Sequence, residues 1–209
     1  MTTMRSFFAA LASLVLVPAA TPAEQAPAPE PLPLAALSAY LGELRLARSD
    51  FTQISDDGHI TTGTLYIKRP GRLRFVYDEP ADTVVIAGGN AVAIFDPKSN
   101  QGPQTYPLER TPLSLILAED VDLGREDMVV AHERRGPATV VTAQDPQHPE
   151  YGTIELVFSG DPVELRQWVV NDDSGSSTTV VLGQLTQPDE LPASLFSIQL
   201  EQQRRAKTR

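Results

Sequence analysis

The sequence predicts a mainly β protein of the α+β class, in which a large antiparallel meander curves into an open barrel with helices over its mouth. Segments of alternating apolar and polar residues recur along most of the chain, separated by hairpin residues such as Asp57-Gly58 and Gly88-Gly89-Asn90. One amphipathic helix precedes these segments, and one short apolar helix interrupts them. At 209 residues, the chain has the length of a single domain.

The first residues are typical of a secretory leader. Arg5 supplies a positive charge, and the apolar stretch "FFAALASLVLV" is too short to span a bilayer comfortably. Pro18 argues against an uncleaved anchor helix. We predict a signal peptide over residues 1–23, followed by an extended Pro/Ala-rich linker over residues 24–33. The candidate cleavage sites follow Ala19, Ala20 and Ala23.

The first predicted element of the folded domain is a helix over residues 33–48. Leu34, Leu37, Leu41 and Leu44 recur there at helical spacing, and most of the charged residues fall off that stripe. A helix with one apolar stripe has to lay it on another layer of the fold.

Most of the remaining chain is predicted as strands. They are expected in "RSDFTQIS", "ITTGTLYIKR", "RLRFVYD", "DTVVIA", "AVAIFDP" and "QGPQTYPL", twice in "EDMVVAHERRGPATVVTAQ", and three times in "TIELVFSGDPVELRQWVVNDDSGSSTTVVLGQL". A last strand in "SLFSIQL" is expected to close the sheet. The folded domain is thus predicted over residues 34–200, followed by a basic tail, 201–209, as a solvated terminus or as a weak contact for anionic lipid or an acidic partner.

The second helix is predicted in "RTPLSLILAED". Thr111 is a good N-cap residue, and Pro112 suits the first helical turn. The residues that follow are almost all apolar, so this helix is expected to lie against the apolar face of the sheet.

Arg69 is predicted to share a strand face with Leu65 and Ile67, because alternate residues of a strand point the same way. A buried guanidinium needs acceptors, and the free C-terminal carbonyls of a lid helix would supply them. The functional hypothesis is that Arg69 latches a helical lid over an apolar cavity. The alternative is that Pro70 ends the strand and Arg69 points to solvent.

Charge and composition argue against several functions. A net charge of −10 disfavours nucleic acid, and the absence of cysteine excludes disulfides and a lipid-modified cysteine. The histidines His59, His132 and His148 lack metal-ligand spacing, and no phosphate-binding glycine motif is present. We therefore predict no catalytic residues, no metal and no cofactor.

In order and spacing, several stretches resemble the LolA family of periplasmic outer-membrane lipoprotein carriers. They are "FTQ", "GTLYIKRPGRLRFVYDEP", "GGNAVAIFDPKSNQ", "TPLSLILA", "WVVNDDSGSSTTVVL" and "LFSI", and the resemblance runs from about residue 34 to 200. It implies an unclosed antiparallel β-barrel with an α-helical lid over a hydrophobic cavity. Arg69 matches the arginine that holds the lid, and residues 111–118 match a lid helix.

The resemblance also implies a function and partners. The family has no catalytic activity and no cofactor. It takes acylated lipoproteins from an inner-membrane ABC exporter of the LolCDE type and delivers them to LolB, an outer-membrane receptor of the same fold. The absence of cysteine argues against this chain being a LolB-like lipoprotein itself.

Two departures from the family pattern limit what can be transferred. Leu73 stands where some members carry a phenylalanine linked to one-way transfer, so the resemblance does not assign that role to this chain. The chain also ends soon after "LFSIQL", without the longer C-terminal extension of some members.

The functional prediction is a soluble, monomeric periplasmic carrier of lipoproteins. The alternative is a periplasmic module of the same fold that senses lipoproteins or binds another lipid. We further predict that Arg69→Leu accepts lipoprotein but fails to pass it on. The acyl-chain cavity is predicted to be lined by Leu65, Ile67, Leu73, Phe75, Ile86, Leu115 and Ile116, with Phe95 and Val129 as further candidates.

Overall fold

The computed structural model describes residues 30–99, 101–125 and 127–208, except for the side chain of Thr208. These residues form eleven strands and three α-helices, which confirms the mainly β prediction. The strands are β1 (Leu46–Ile54), β2 (Ile60–Lys68), β3 (Arg72–Tyr77), β4 (Val84–Gly88), β5 (Ala91–Phe95), β6 (Gln104–Pro107), β7 (Val129–Arg135), β8 (Ala138–Gln144), β9 (Thr153–Ser159), β10 (Glu164–Asn171) and β11 (Ser177–Leu182). The helices are α1 (Leu34–Glu43), α2 (Leu113–Leu117) and α3 (Ile198–Thr208), with 3-10 helices at Leu108–Arg110, Pro149–Tyr151 and Ala193–Phe196.

All the strands belong to one antiparallel sheet, in the order β6-β5-β4-β3-β2-β1-β11-β10-β9-β8-β7. In the described part of the chain, β6 and β7 each pair on one side only, so the sheet stays open as predicted. The chain runs from β1 to one edge, crosses to the other edge, and returns to β11 beside β1. The crossing connection carries α2, which packs with α1 against the concave face of the sheet.

The first helix is shorter than its predicted span of 33–48. α1 ends at Glu43, and β1 begins at Leu46, directly opposite Lys68 of β2. Ala47 is 1% exposed and faces the sheet's interior as a strand residue. The leucine spacing does not show this change, because pairing with a distant strand overrides local helical periodicity.

The predicted N-cap of the second helix is also wrong. The Thr111 hydroxyl donates to the carbonyl of Leu108 at 2.8 Å and so belongs to the preceding 3-10 turn. Pro112 stands at the N-cap position of α2 and makes no side-chain capping bond there.

The C-terminal region forms helices where a strand and a solvated tail were predicted. "SLFSIQL" contributes to a 3-10 helix and to the start of α3, which continues to Thr208. Ile198 packs on the convex face of the sheet, and Glu201 is only 6% exposed. The predicted boundary at residue 200 therefore falls inside a packed helix.

The predicted signal peptide and most of the linker lie outside the described residues. Residues 30–33 are described, and they contact the sheet although they precede the predicted start of the domain at residue 34. The backbone N–H of Leu32 donates to Oγ1 of Thr139 at 2.8 Å, and its carbonyl lies 2.9 Å from Nε2 of His132. These contacts tie the start of α1 to β7 and β8.

Candidate functional site: an apolar cavity under two helices

The concave face of the sheet and the two lid helices, α1 and α2, share one apolar cluster. Five of the predicted lining residues are buried in it: Leu65, Ile67, Leu73, Phe75 and Ile116. Leu115 and Val129 are partly buried against the same cluster. On the helix side, Leu37, Leu41 and Leu44 of the predicted stripe are at most 5% exposed. The structure thus places these residues in one apolar cluster, and of the predicted lining only Ile67 and Ile116 border the small cavity between the helices and the sheet.

Ile86 does not belong to this cavity, which corrects the prediction. It lies opposite Arg74 in the β3–β4 pair and so points to the convex face. There it packs with Phe95 in a separate cluster beneath Ile198 of α3. β4 is apolar on both faces, so its sequence lacks the alternation that assigns a side chain to one face.

The space between the lid helices and the sheet is almost completely filled. The remaining cavity has a volume of about 10 Å³, which is at the lower limit for one water molecule. Its lining consists of Leu41, Leu44, Ile67, Arg69, Ile116, Leu165 and Trp168. A hydrocarbon chain can enter only if α1 or α2 moves away from the sheet.

Arg69 forms hydrogen bonds to the C-terminal end of α1, which is the geometry that the latch hypothesis requires. Its Nε donates to the carbonyl of Leu44 at 3.1 Å, and its Nη2 donates to the carbonyls of Gly42, at 3.2 Å, and Leu41. These carbonyls have no acceptor role within the helix, and a cation at this end complements the helix dipole. Arg69 is 7% exposed, so the alternative in which it points to solvent is wrong.

Burial and two neighbouring charges act on the guanidinium of Arg69. Burial, and to a smaller extent the positive charge of Arg45, lowers the pKa of Arg69, whereas Asp120 raises it. An arginine keeps its proton in such surroundings. The cost of burial therefore falls on the closed lid, and the hydrogen bonds to α1 offset it.

The hairpin that carries Arg69 also holds α2. The backbone N–H of Gly71 donates to the carbonyl of Leu117, the last residue of α2, at 2.8 Å. Gly71 has φ of +68°, a left-handed conformation that favours glycine. One short turn between β2 and β3 therefore fastens both lid helices.

Two further contacts connect α1 to the rest of the lid and to the sheet. The N–H of Leu123 donates to Oγ of Ser38 at 2.9 Å, which links α1 to the connection after α2. The N–H of Leu165 in β10 donates to the Tyr40 hydroxyl at 3.1 Å. Burial raises the pKa of Tyr40, so its hydroxyl stays neutral.

An aromatic cluster forms the floor of the concave face. Phe51 contacts Phe75 and Tyr77 edge to face, with ring centroids 4.9 and 5.1 Å apart, and Phe75 also meets Trp168. The Tyr77 hydroxyl donates to Oε1 of Gln53 at 2.6 Å, and burial raises the pKa of Tyr77 to about 12. Trp168 is 1% exposed and lines the cavity.

A second buried arginine on the convex face was missed by sequence analysis. Nη2 of Arg74 forms an ion pair with Glu201 at 3.0 Å, and its Nη1 donates to the carbonyl of Leu195. Arg205 also pairs with Glu201, at 3.1 Å. Alternation places Arg74 opposite Leu73 but does not reveal that a C-terminal helix covers it.

The histidines and carboxylates of the described residues do not gather into a metal-binding cluster. No group of three His, Asp or Glu side chains in that part of the chain could hold a metal ion. His132 contacts a backbone carbonyl, and His148 stacks on Tyr151. Glu155 and Glu164 each pair with a different arginine.

No helix among the described residues is long and apolar enough to cross a membrane.

Comparison with known proteins gives a family match over most of the chain. The model of the family described as "Outer membrane lipoprotein carrier protein LolA" matches residues 43–199. An outer-membrane lipoprotein carrier protein from Pseudomonas entomophila is 26% identical over 176 residues, which cover 78% of this chain and 82% of that protein. A protein of the same name from Chromohalobacter salexigens is 24% identical over 174 residues, covering 78% and 81%. The crystal structure of a LolA superfamily protein from Nitrosomonas europaea aligns with a TM-score of 0.41 and 12% identity, covering 79% of this chain and 98% of that one.

Proposed function

The chain belongs to the LolA family of outer membrane lipoprotein carrier proteins, and we propose that it binds the acyl chains of lipoproteins under α1 and α2. In this proposal it carries them through the periplasm, from an inner-membrane ABC exporter of the LolCDE type to the outer membrane. A receptor of the LolB type receives them where the organism has one. The observation that carries the proposal is an apolar cavity whose covering helices are fastened by Arg69 and Gly71.

The physical requirement on such a carrier is reversibility. Each methylene group that leaves water contributes roughly 0.8 kcal/mol, so the acyl chains need a large apolar surface during transit. In the closed protein, the leucines of α1 already cover the concave face. Lifting the lid exchanges these protein contacts for contacts with lipid, and such an exchange can be nearly balanced.

The Arg69 latch sets that balance in the proposed mechanism. It stabilises the empty closed state. The apparent affinity for a ligand that needs the open state is therefore the intrinsic affinity multiplied by the fraction of time the lid is open. Release to an acceptor is then helped by reclosure. The mechanism needs no catalytic group and no cofactor. With a net charge of −10 we propose no nucleic-acid partner, and the carrier is proposed to act as a monomer.

The test is native mass spectrometry of the full chain, exported with its leader and purified from the periplasm. We expect a one-to-one complex with an acylated lipoprotein. Arg69→Leu should carry more of this complex, and Arg74→Leu, which changes the convex face, should carry the wild-type amount. Recovery of free phospholipid or glycolipid alone would contradict the lipoprotein assignment and support a carrier or sensor of another lipid.

A further inference from the structure

One nitrogen of the buried Arg69 guanidinium donates to no acceptor. Nε and Nη2 bind the carbonyls of α1, whereas Nη1 is buried without a hydrogen-bond partner. Among the described residues it is the one buried side-chain nitrogen or oxygen in this condition. Buried donors in native proteins are nearly always paired, so an unpaired one calls for a functional explanation.

The surroundings of this nitrogen indicate what could pair with it. Arg69 is 7% exposed, and every other side chain that lines the cavity is hydrophobic: Leu41, Leu44, Ile67, Ile116, Leu165 and Trp168. A molecule entering here would meet hydrophobic side chains and one cationic donor. Asp120 already contributes negative charge near the guanidinium. A second buried charge would add its own desolvation cost, which a neutral acceptor avoids.

We propose that Nη1 of Arg69 donates to an ester carbonyl oxygen at the head of an acyl chain bound in the cavity. Arg69 would then be a binding residue for the junction between hydrocarbon and headgroup, in addition to its latch role. This inference rests on the proposed function, which places acyl chains under the lid. The ester could belong to an acylated protein or to a glycerophospholipid.

The same contact would couple recognition to lid opening. When α1 lifts, the carbonyls of Leu41, Gly42 and Leu44 move away, and Nε and Nη2 also lose their acceptors. Ester carbonyls of a ligand can replace them, because the guanidinium has five N–H donors in a fixed plane. A hydrocarbon without carbonyls would leave these donors unpaired and would stabilise the open state less.

The test compares ligands that differ only in these carbonyls. A diacylglyceryl lipopeptide is paired with its dialkyl ether analogue of equal chain length and identical peptide, and a diacyl phospholipid is paired with its dialkyl ether analogue. Dissociation constants come from displacement of a fluorescent apolar probe. For one hydrogen bond from a charged donor, we expect about tenfold tighter binding of the ester.

Variants assign the preference to Arg69. Arg69→Leu should bind ester and ether equally, and Arg74→Leu, a buried arginine on the opposite face, should keep the preference. Circular dichroism and a thermal melt establish that each variant folds. If Arg69→Leu does not fold, the ratio of the ester and ether dissociation constants of the unaltered protein still shows whether the site recognises an ester carbonyl.

Each outcome has a definite meaning. Equal affinity of the unaltered protein for both members of each pair overturns the inference, and so does an ester preference that survives in Arg69→Leu. A preference in the lipopeptide pair supports it with an acylated protein as the source. A preference confined to the phospholipid pair supports the contact but contradicts the lipoprotein function. Failure of all four ligands to bind contradicts the proposed function itself.

Discussion

Arg69→Leu is predicted to tighten the binding of an apolar ligand that lacks a carbonyl. The side chain makes three hydrogen bonds to α1 in the closed state, and bonds to a charged donor contribute roughly 1.5–3 kcal/mol each. The desolvation of the guanidinium offsets most of this, leaving about 2 kcal/mol in favour of closure. Removing that bias should raise the apparent affinity about 30-fold.

The assay is an equilibrium titration with N-phenyl-1-naphthylamine, whose fluorescence rises in an apolar site. Arg74→Leu serves as the matched control, because it removes a buried arginine from the convex face, and its affinity should equal that of the unaltered protein. Unchanged or weaker probe binding by a folded Arg69→Leu variant would refute the latch argument. Transfer to an acceptor provides a second readout, since the variant should accept lipoprotein but release it poorly.

Three further predictions concern other parts of the fold. Burial alone would raise the pKa of Glu201, but hydrogen bonds from Arg74 and Arg205 hold it below its ordinary value. The ion pairs of Glu201 therefore stabilise the fold fully at pH values above the pKa of an unfolded glutamate, and this stabilisation is lost as the pH falls through the folded-state pKa. Glu201→Gln should lower the free energy of unfolding in urea at pH 7 and should match the unaltered protein in acid. Gly71→Ala should lower the free energy of unfolding by about 1–2 kcal/mol, because φ is +68°, and should raise probe affinity by loosening α2. Gly58→Ala, with φ of +79° in a turn far from the lid, should lower the free energy of unfolding as much and leave probe affinity unchanged. Leu73→Ala should cost about 2–5 kcal/mol and should raise probe affinity by opening apolar space in the cluster under the lid helices. Ile86→Ala on the convex face should cost a similar amount and leave probe affinity unchanged.

Each of these predictions has an outcome that contradicts it. A stability difference for Glu201→Gln that grows in acid would reverse the assigned sign. Equal probe affinity in the two glycine variants would show that the hairpin does not fasten α2. A change in probe binding in Ile86→Ala as large as that in Leu73→Ala would mean that the two clusters are not separate.

The sequence was most informative where alternation was clear. In β2, Leu65 and Ile67 are separated by polar or half-polar residues, so the strand face of Arg69 followed from a period of two. The leucine stripe of α1 gave the same clarity for a helix. Its end at Glu43 was not predictable locally, because β1 is defined by pairing with β2 and β11.

The errors arose where distant parts of the chain decide the structure. Ile86 was assigned to the cavity because β4 is apolar on both faces, and only the packing of α3 shows that the convex face needs apolar residues. The ion pair between Arg74 and Glu201 joins residues far apart in sequence, and neither has a local signature. The unpaired Nη1 of Arg69 likewise depends on atomic positions that no sequence pattern specifies.

The central claim is that this chain carries lipoproteins away from a membrane, and a spheroplast release assay tests it most directly. Purified mature protein is added to spheroplasts that are synthesising outer-membrane lipoproteins, and the supernatant is analysed. We predict that the lipoproteins appear there as one-to-one complexes with the protein. If the folded protein leaves them in the inner membrane, the carrier function is contradicted, and the lidded apolar cavity must serve another lipid.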